Sequence, residues 1–242
     1  GSMAHAKMLN KIGVLTDDDY KNITRGLEDI RHEIEEGSFE FSTSLEDIHM
    51  NIESRLTEMI GEAGKRLHTG RSRNDQIALD LRLFIMDSCN DISLLLKRLI
   101  LELVTLANRE IDTVMPGYTH MQVAQPVRFS HHMLAHAWAL VRDLRRLKFT
   151  LSSCDNLPLG SGAMAGVNYP SDREMLRNEL DFSEIIPNSM DGVSDRDFAL
   201  DFLYFASMLG MHLSRFCEEL VIWSSSEFSF IRLSDTVTTG SS

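Results

Sequence analysis

Glycine and proline are spread very unevenly along these 242 residues, and the gaps between them limit what the chain can fold into. Residues 71 to 115 contain neither, residues 127 to 157 contain neither, and residues 193 to 239 contain one glycine and no proline. Proline removes a helix donor and glycine raises the entropic cost of helix, so long stretches without them predict long helices. Apolar spacing agrees. Leu81, Ile85, Ile92, Leu96, Leu99, Leu103 and Leu106 recur at steps of three, four or seven. Phe129, Met133, Ala137, Leu140, Leu144, Leu147 and Leu151 repeat the pattern, and so do Phe198, Phe202, Phe205, Leu209, Leu213, Phe216, Leu220 and Trp223. Such stripes give each helix one apolar face.

A thirty-residue helix is a rod of roughly 45 Å, which is hard to bury in a small domain. Leu94-Leu95-Leu96 and Phe202-Leu203-Tyr204-Phe205 carry apolar character beyond a single stripe. Helices of this kind are expected to pack on several neighbours, including other subunits. No strand alternation, internal repeat or low-complexity tract competes with this reading. The expected fold is therefore all-α: an N-terminal helical part over residues 1–70 and a long-helix bundle over 71–242. Residues before about 60 read as shorter amphipathic helices. One of them starts at Thr16-Asp17-Asp18-Asp19, where hydroxyl and carboxylate groups can cap free N–H groups. Residues 155 to 192 read as loops around one short helix.

A formal charge of −12 argues against nucleic acid as a partner. Three cysteines, Cys89, Cys154 and Cys217, form no Cys-x-x-Cys pair and suit a reducing cytoplasm. No apolar run is long enough to span a membrane. Gly1-Ser2-Met3 reads as a remnant of tag removal, with no secretory signal after it.

Two segments concentrate possible chemistry. From Ala63 to Asn74 there are four Lys or Arg residues and no acidic one, ending in Gly70-Arg71-Ser72-Arg73-Asn74-Asp75 at the start of the first long helix. Free N–H groups there, with Ser, Arg and Asn side chains, suit a carboxylate or phosphate; the alternative is a solvated basic turn. Between the first two long helices, Pro116 and Pro126 bracket Thr119, His120, Gln122 and Gln125. His120 is the natural proton-transfer residue there, although a lone loop histidine is more often merely solvated. The hydroxyl-rich residues 234–242 read by themselves as a linker. His132 and His136 stand four apart on a helix, a spacing that can hold a metal. No acidic residue or third histidine stands beside them in a metalloprotease pattern, so a structural role is expected. Gly160-Ser161-Gly162 lacks the length and the lysine of a P-loop and reads as a tight turn.

Together these segments resemble the argininosuccinate lyase family of the fumarase/aspartase superfamily. The resemblance rests on Glu46-Asp47-Ile48-His49, the run from Leu67 to Gln76, and Pro116-Gly117-Tyr118-Thr119-His120-Met121-Gln122. Leu157 to Ala163, Ser194-Asp195-Arg196-Asp197 and Thr239-Gly240-Ser241-Ser242 follow in the right order. It implies a helical subunit of a homotetramer with active sites shared between subunits. It also implies cleavage of argininosuccinate to arginine and fumarate, with no cofactor and no metal. By the same resemblance His120 is the general acid and Ser241 the general base. Ser72, Arg73, Asn74, Thr119 and Gln122 bind substrate, and His49 binds or orients it. Arg196 and Asp197 are expected to hold the scaffold. The chain matches about the middle half of a family member, ending before the rest of the catalytic loop, so it is expected to be a fragment. A sister lyase acting on adenylosuccinate, fumarate or aspartate, and a non-enzymatic crystallin-like relative, remain as alternatives.

Overall fold

The structure is a computed structural model that describes residues 1–236 and residue 238. In chain order its elements are α1 (Ser2–Lys11), α2 (Asp17–Glu35), α3 (Ile48–Ile60), α4 (Glu62–Arg66), α5 (Arg73–Arg109), β1 (Val114–Thr119) and β2 (Gln122–Arg128). They continue with α6 (Phe129–Cys154), β3 (Asn156–Leu157), α7 (Arg173–Glu179), β4 (Glu184–Ile185), α8 (Ser189–Ser194) and α9 (Asp197–Ser224). The fold is predominantly helical, as the breaker-free stretches require. Two compact units divide it: Gly1–Phe84 with Asp155–Arg196, and Ile85–Cys154 with Asp197 onward.

In the first unit α2 packs on α1 and α3, and α7 packs on α1. Met8, Leu9, Ile23, Ile30, Leu56 and Leu67 are buried there. A Cβ on Gly26 would come within 2.6 Å of the Leu56 side chain, so the absence of a side chain lets α2 approach α3. The expected start of α2 is a full capping box. Thr16 Oγ1 accepts from Asp19 N at 3.1 Å, while Asp19 Oδ2 accepts from Thr16 N at 3.2 Å. Asp17, Asp18 and Asp19 also place negative charge where the helix dipole is positive. Residues 155–196 carry two short helices rather than one, and β3 pairs with β4 in parallel. Arg82, almost fully buried on α5, pairs with Asp195 of the Ser194–Asp197 motif, which anchors a buried charge. Arg196 donates to the carbonyls of Val193 and Asp195.

In the second unit α6 packs along α9, and Leu103 of α5 meets Ala139, Leu140, Leu213 and Phe216 around one small void. The apolar stripes face inward: Leu96, Met133, Ala137, Leu140, Leu147, Phe198, Phe205 and Trp223 are all buried. One polar link lies inside, where His212 Nδ1 and Asp143 Oδ2 stand 2.6 Å apart with both residues buried. Leu94, Leu95, Leu101 and Val104 of α5 and Leu200, Leu203 and Tyr204 of α9 stay exposed, so these helices carry a second apolar face. Helix α9 ends at Ser224, well short of the breaker-free limit at residue 239. Ser224, Ser225 and Ser229 hydroxyls bond carbonyls three or four residues back, and the chain folds over so that Phe230 N reaches Trp223 O.

The antiparallel pair β1–β2 corrects the expectation of no strands. Apart from Met115, its side chains are exposed or only half-buried, so no inside–outside alternation is written into the sequence. Among the described residues no helix is long and apolar enough to cross a membrane.

Replacing Thr16 by alanine should cost about 1 kcal/mol of stability, seen as a lower urea midpoint with an unchanged m-value. A midpoint equal to wild type would show that the capping box contributes nothing.

Candidate functional site

The first cluster forms where α5 begins. Asp75 is fully buried, and its carboxylate accepts from three backbone N–H groups: Ser72 at 3.0 Å, Gly160 at 3.1 Å and Gly162 at 2.8 Å. Gly162 has φ +63°, and a Cβ there would meet the Gly166 carbonyl at 2.5 Å, so only glycine fits this cradle. Burial raises the Asp75 pKa, while the three N–H bonds and the nearby Arg71 charge oppose the rise. The Gly-Ser-Gly turn therefore grips a carboxylate of the chain itself. Beside it Asn74 Nδ2 donates to Ala163 O at 3.0 Å, and Ser72 Oγ accepts from Asn74 N at 3.2 Å.

Arg73 faces carboxylates supplied by other helices. Its Nη1 lies 3.1 Å from Glu53 Oε1, its Nε 3.1 Å from Asp47 Oδ2, and its Nη1 also donates to Gln76. Arg71 is buried, with a guanidinium nitrogen 3.6 Å from Glu53. His68 Nδ1 lies 3.2 Å from the same carboxylate. Burial would raise the Glu53 pKa, but bonds from His68 and Arg73, with their charges, hold it at about 2 instead of 4.5. His49 joins this group: Gln76 Nε2 donates to His49 Nδ1 at 3.1 Å, which leaves Nε2 as the protonated nitrogen, 3.6 Å from Asp80. His5 supports the turn from below, with Nε2 2.9 Å from Thr69 O, and burial with the Arg71 charge lowers its pKa to about 4. His49, Ser72, Arg73 and Asn74 thus gather within one unit. Asp47 and Asp75 stand inside the motifs read from the sequence, without a role of their own there. Glu53, which holds Arg73 and His68, lies outside them and was visible only as a single acidic residue.

The second cluster is the tip of the β1–β2 hairpin. Thr119 pairs with Gln122, which leaves His120 and Met121 as a two-residue loop. Both have positive φ, 54° and 59°, as a type I′ turn requires. Asparagine and glycine usually fill such positions, because a side chain there costs roughly 1–2 kcal/mol per residue. The hairpin thus holds an exposed imidazole on a strained turn, flanked by the Thr119 hydroxyl and the Gln122 amide. A bulge bends and twists the stem: Ala124 and Gln125 oppose Gly117 alone, where a Cβ would meet Gln125 O at 2.8 Å. Tyr118 packs against Phe228 and Phe230, with ring centroids 5.5 and 6.2 Å away. That contact ties the hairpin to the chain following α9. Thr119, His120 and Gln122 belong to the second unit. Ser241, the expected base, lies outside the described residues.

Comparison with known proteins fixes the family. The family model described as lyase matches residues 1–242. The chain belongs to the lyase family. Among curated relatives, argininosuccinate lyases of Geotalea daltonii and Geobacter metallireducens are 57% and 54% identical over all 242 residues. The chain spans 53% of each of them, about half of their length. Among solved structures in this fold, an EDDS lyase in complex with formate is 28% identical with a TM-score of 0.87, over 96% of this chain and 46% of that one. A β-carboxy-cis,cis-muconate cycloisomerase from Acinetobacter calcoaceticus, 17% identical with a TM-score of 0.79 over 94% of this chain and 54% of that one, shares the fold.

Two predictions follow from the clusters. Because the Glu53 pKa falls from 4.5 to about 2 on folding, its stabilisation is complete above pH 4.5 and is lost as pH drops toward 2. The ceiling is about 3 kcal/mol. In denaturation curves taken across that range, wild type should exceed Glu53→Gln in stability at about pH 6, and the gap should close by about pH 2. A gap independent of pH would show that the carboxylate's charge is not what Glu53 contributes. At the hairpin, Met121→Gly should raise stability by about 0.5–1 kcal/mol, since Met121 is 62% exposed and loses little packing. A drop in melting temperature would contradict the strained-turn reading.

Proposed function

We propose that this chain forms the central part of an argininosuccinate lyase, which eliminates fumarate from argininosuccinate and releases arginine. The observation that carries this reading is 57% identity along every residue of the chain to a protein of that name. The strained presentation of His120 supplies a chemical reason. A solved EDDS lyase variant, 28% identical to this chain, holds bound fumarate, so a relative with the same fold accommodates that product.

In the proposed reaction a base removes the proton next to a substrate carboxylate. The resulting carbanion is delocalised into that carboxylate. The C–N bond then breaks, the electron pair closes the fumarate double bond, and an acid protonates the departing guanidino nitrogen. His120 is assigned the acid and Ser241 the base. A serine can act as base only where local positive charge favours the alkoxide and water is excluded. Ser72, Arg73, Asn74, Thr119 and Gln122 are assigned to the carboxylates, where fixed donors favour the charge that builds up in the transition state. His49 is assigned an orienting role. The Arg73 guanidinium already sits between Glu53 and Asp47, so its strength toward a substrate carboxylate is tempered and its direction fixed.

The same reading proposes a homotetramer with shared sites, supported by the second apolar face on α5 and α9. It places the protein in the cytoplasm, supported by Cys89, buried and outside any disulfide, and by the lack of a Cys-x-x-Cys pair in the sequence.

The deciding assay is fumarate release from argininosuccinate by the full-length protein and by His120→Asn. The variant should keep its helical circular dichroism and lose at least about 100-fold in kcat, the usual contribution of a general acid. Activity within about tenfold of wild type would remove His120 from that role. Turnover of adenylosuccinate in preference to argininosuccinate would replace the substrate and keep the chemistry.

A further inference from the structure

The pair His132 and His136 acquires a third partner that the linear sequence does not show. Glu219 of α9 lies opposite them, and its Oε2 is 2.6 Å from His132 Nε2 and 2.7 Å from His136 Nε2. The three side chains offer one ligand atom each, and these atoms all lie within 4.8 Å of one another. We infer that His132, His136 and Glu219 form a binding site for a divalent transition metal of the zinc class, which fastens α6 to α9.

Three features set this cluster apart from an incidental hydrogen-bonded pair. The imidazoles stand one helical turn apart on one face and both present Nε2 to the same oxygen, which is how paired helix histidines approach a metal. Aromatic neighbours fix both rings: His132 meets Trp223 edge-on at 4.8 Å, and His136 lies 4.9 Å from Phe216. All three side chains are partly buried, at 30%, 14% and 32% exposure, so the donors are held in place yet reachable from solvent. Two imidazoles and a carboxylate are a donor set that zinc accepts, at metal–ligand distances of roughly 2.0–2.2 Å. Placing an ion between them requires the nitrogen–oxygen separations to open by less than about 1 Å, within the reach of side-chain rotation. A fourth position would face the cavity that these residues line with Trp138, Arg142 and Arg215. The two arginines weaken the attraction for a bare dication and favour an anionic fourth ligand. Neither histidine belongs to the proposed elimination site, so the inference stands apart from that reading.

The experiment is calorimetric titration of the EDTA-treated full-length protein with zinc chloride, followed by thermal unfolding with and without zinc. Wild type should bind one zinc per chain and melt at a higher temperature when loaded. His136→Ala and Glu219→Gln should each weaken binding at least tenfold and abolish the shift. Glu219→Gln keeps the side-chain shape, which guards against misfolding of the alanine variant. His131→Ala, an exposed neighbour on the same helix, should bind as wild type does. Cobalt in place of zinc should give a ligand-field absorption in wild type that is missing from both ligand variants. Absence of zinc binding, or binding unchanged in His136→Ala and Glu219→Gln, would overturn the assignment and leave a histidine–carboxylate clasp.

Discussion

Much of the first unit hangs on one buried carboxylate. Asp75 has no solvent to share its charge with, and an unpaired charge in that position would cost more than a domain of this size can spare. Three backbone N–H groups solve the problem, one from the turn before α5 and two from the glycine turn at 160–162. Two stretches far apart in sequence, Leu67 to Gln76 and Leu157 to Ala163, are therefore two halves of one cradle. The glycines exist so that backbone can approach Asp75, and Asp75 exists so that the turn carrying Ser72, Arg73 and Asn74 has one shape. Asn74 repeats the logic with a neutral bond to Ala163 O.

What could be read from the sequence divides along physical lines. The long helices were legible because a buried stripe and the absence of helix breakers are local properties, and Phe129 to Leu151 needs no partner to declare its face. The hairpin was not, because a strand announces itself through alternation, and residues 114–128 are too exposed to alternate. Its turn was hidden as well, since His120-Met121 replaces the Asn-Gly pair that normally marks a type I′ loop. The chain beyond α9 packs Phe228 and Phe230 on Tyr118, more than a hundred residues earlier, a contact that no local pattern announces.

Electrostatics was the least legible of all. The run from Ala63 to Asn74 looks like free positive charge when counted along the chain. In the fold Arg66 meets Asp19 at 2.5 Å, Lys65 meets Glu62 at 2.5 Å, and Arg73 is held by Glu53 and Asp47. Glu62 sits just outside the run, three residues from Lys65 on α4. Asp19 comes from α2, and Asp47 and Glu53 from the start and body of α3, too far along the chain for a local count to cancel Arg66 and Arg73. The same blindness concealed Glu219 from His132 and His136, which lie more than eighty residues away. Side-chain chemistry is written locally, but charge balance is settled only when helices are brought together.

The helices of the second unit have one more consequence for the site. A helix that buries one apolar stripe within its own unit and exposes a second has its packing only half determined by its own chain. Leu94, Leu95, Leu101, Leu200, Leu203 and Tyr204 form faces that water does not favour and that nothing in the single unit covers. On the proposed tetrameric reading, those faces meet their equivalents in neighbouring copies. Each neighbour then carries its own hairpin on rods of fixed length. On the same reading, an imidazole held on a strained turn suits such an arrangement, because a proton donor shared between subunits would have to arrive already oriented. The strain at His120 and Met121 and the surplus apolar surface on α5 and α9 then have a common origin. On that proposal both are costs borne by one subunit for a geometry that several of them would complete.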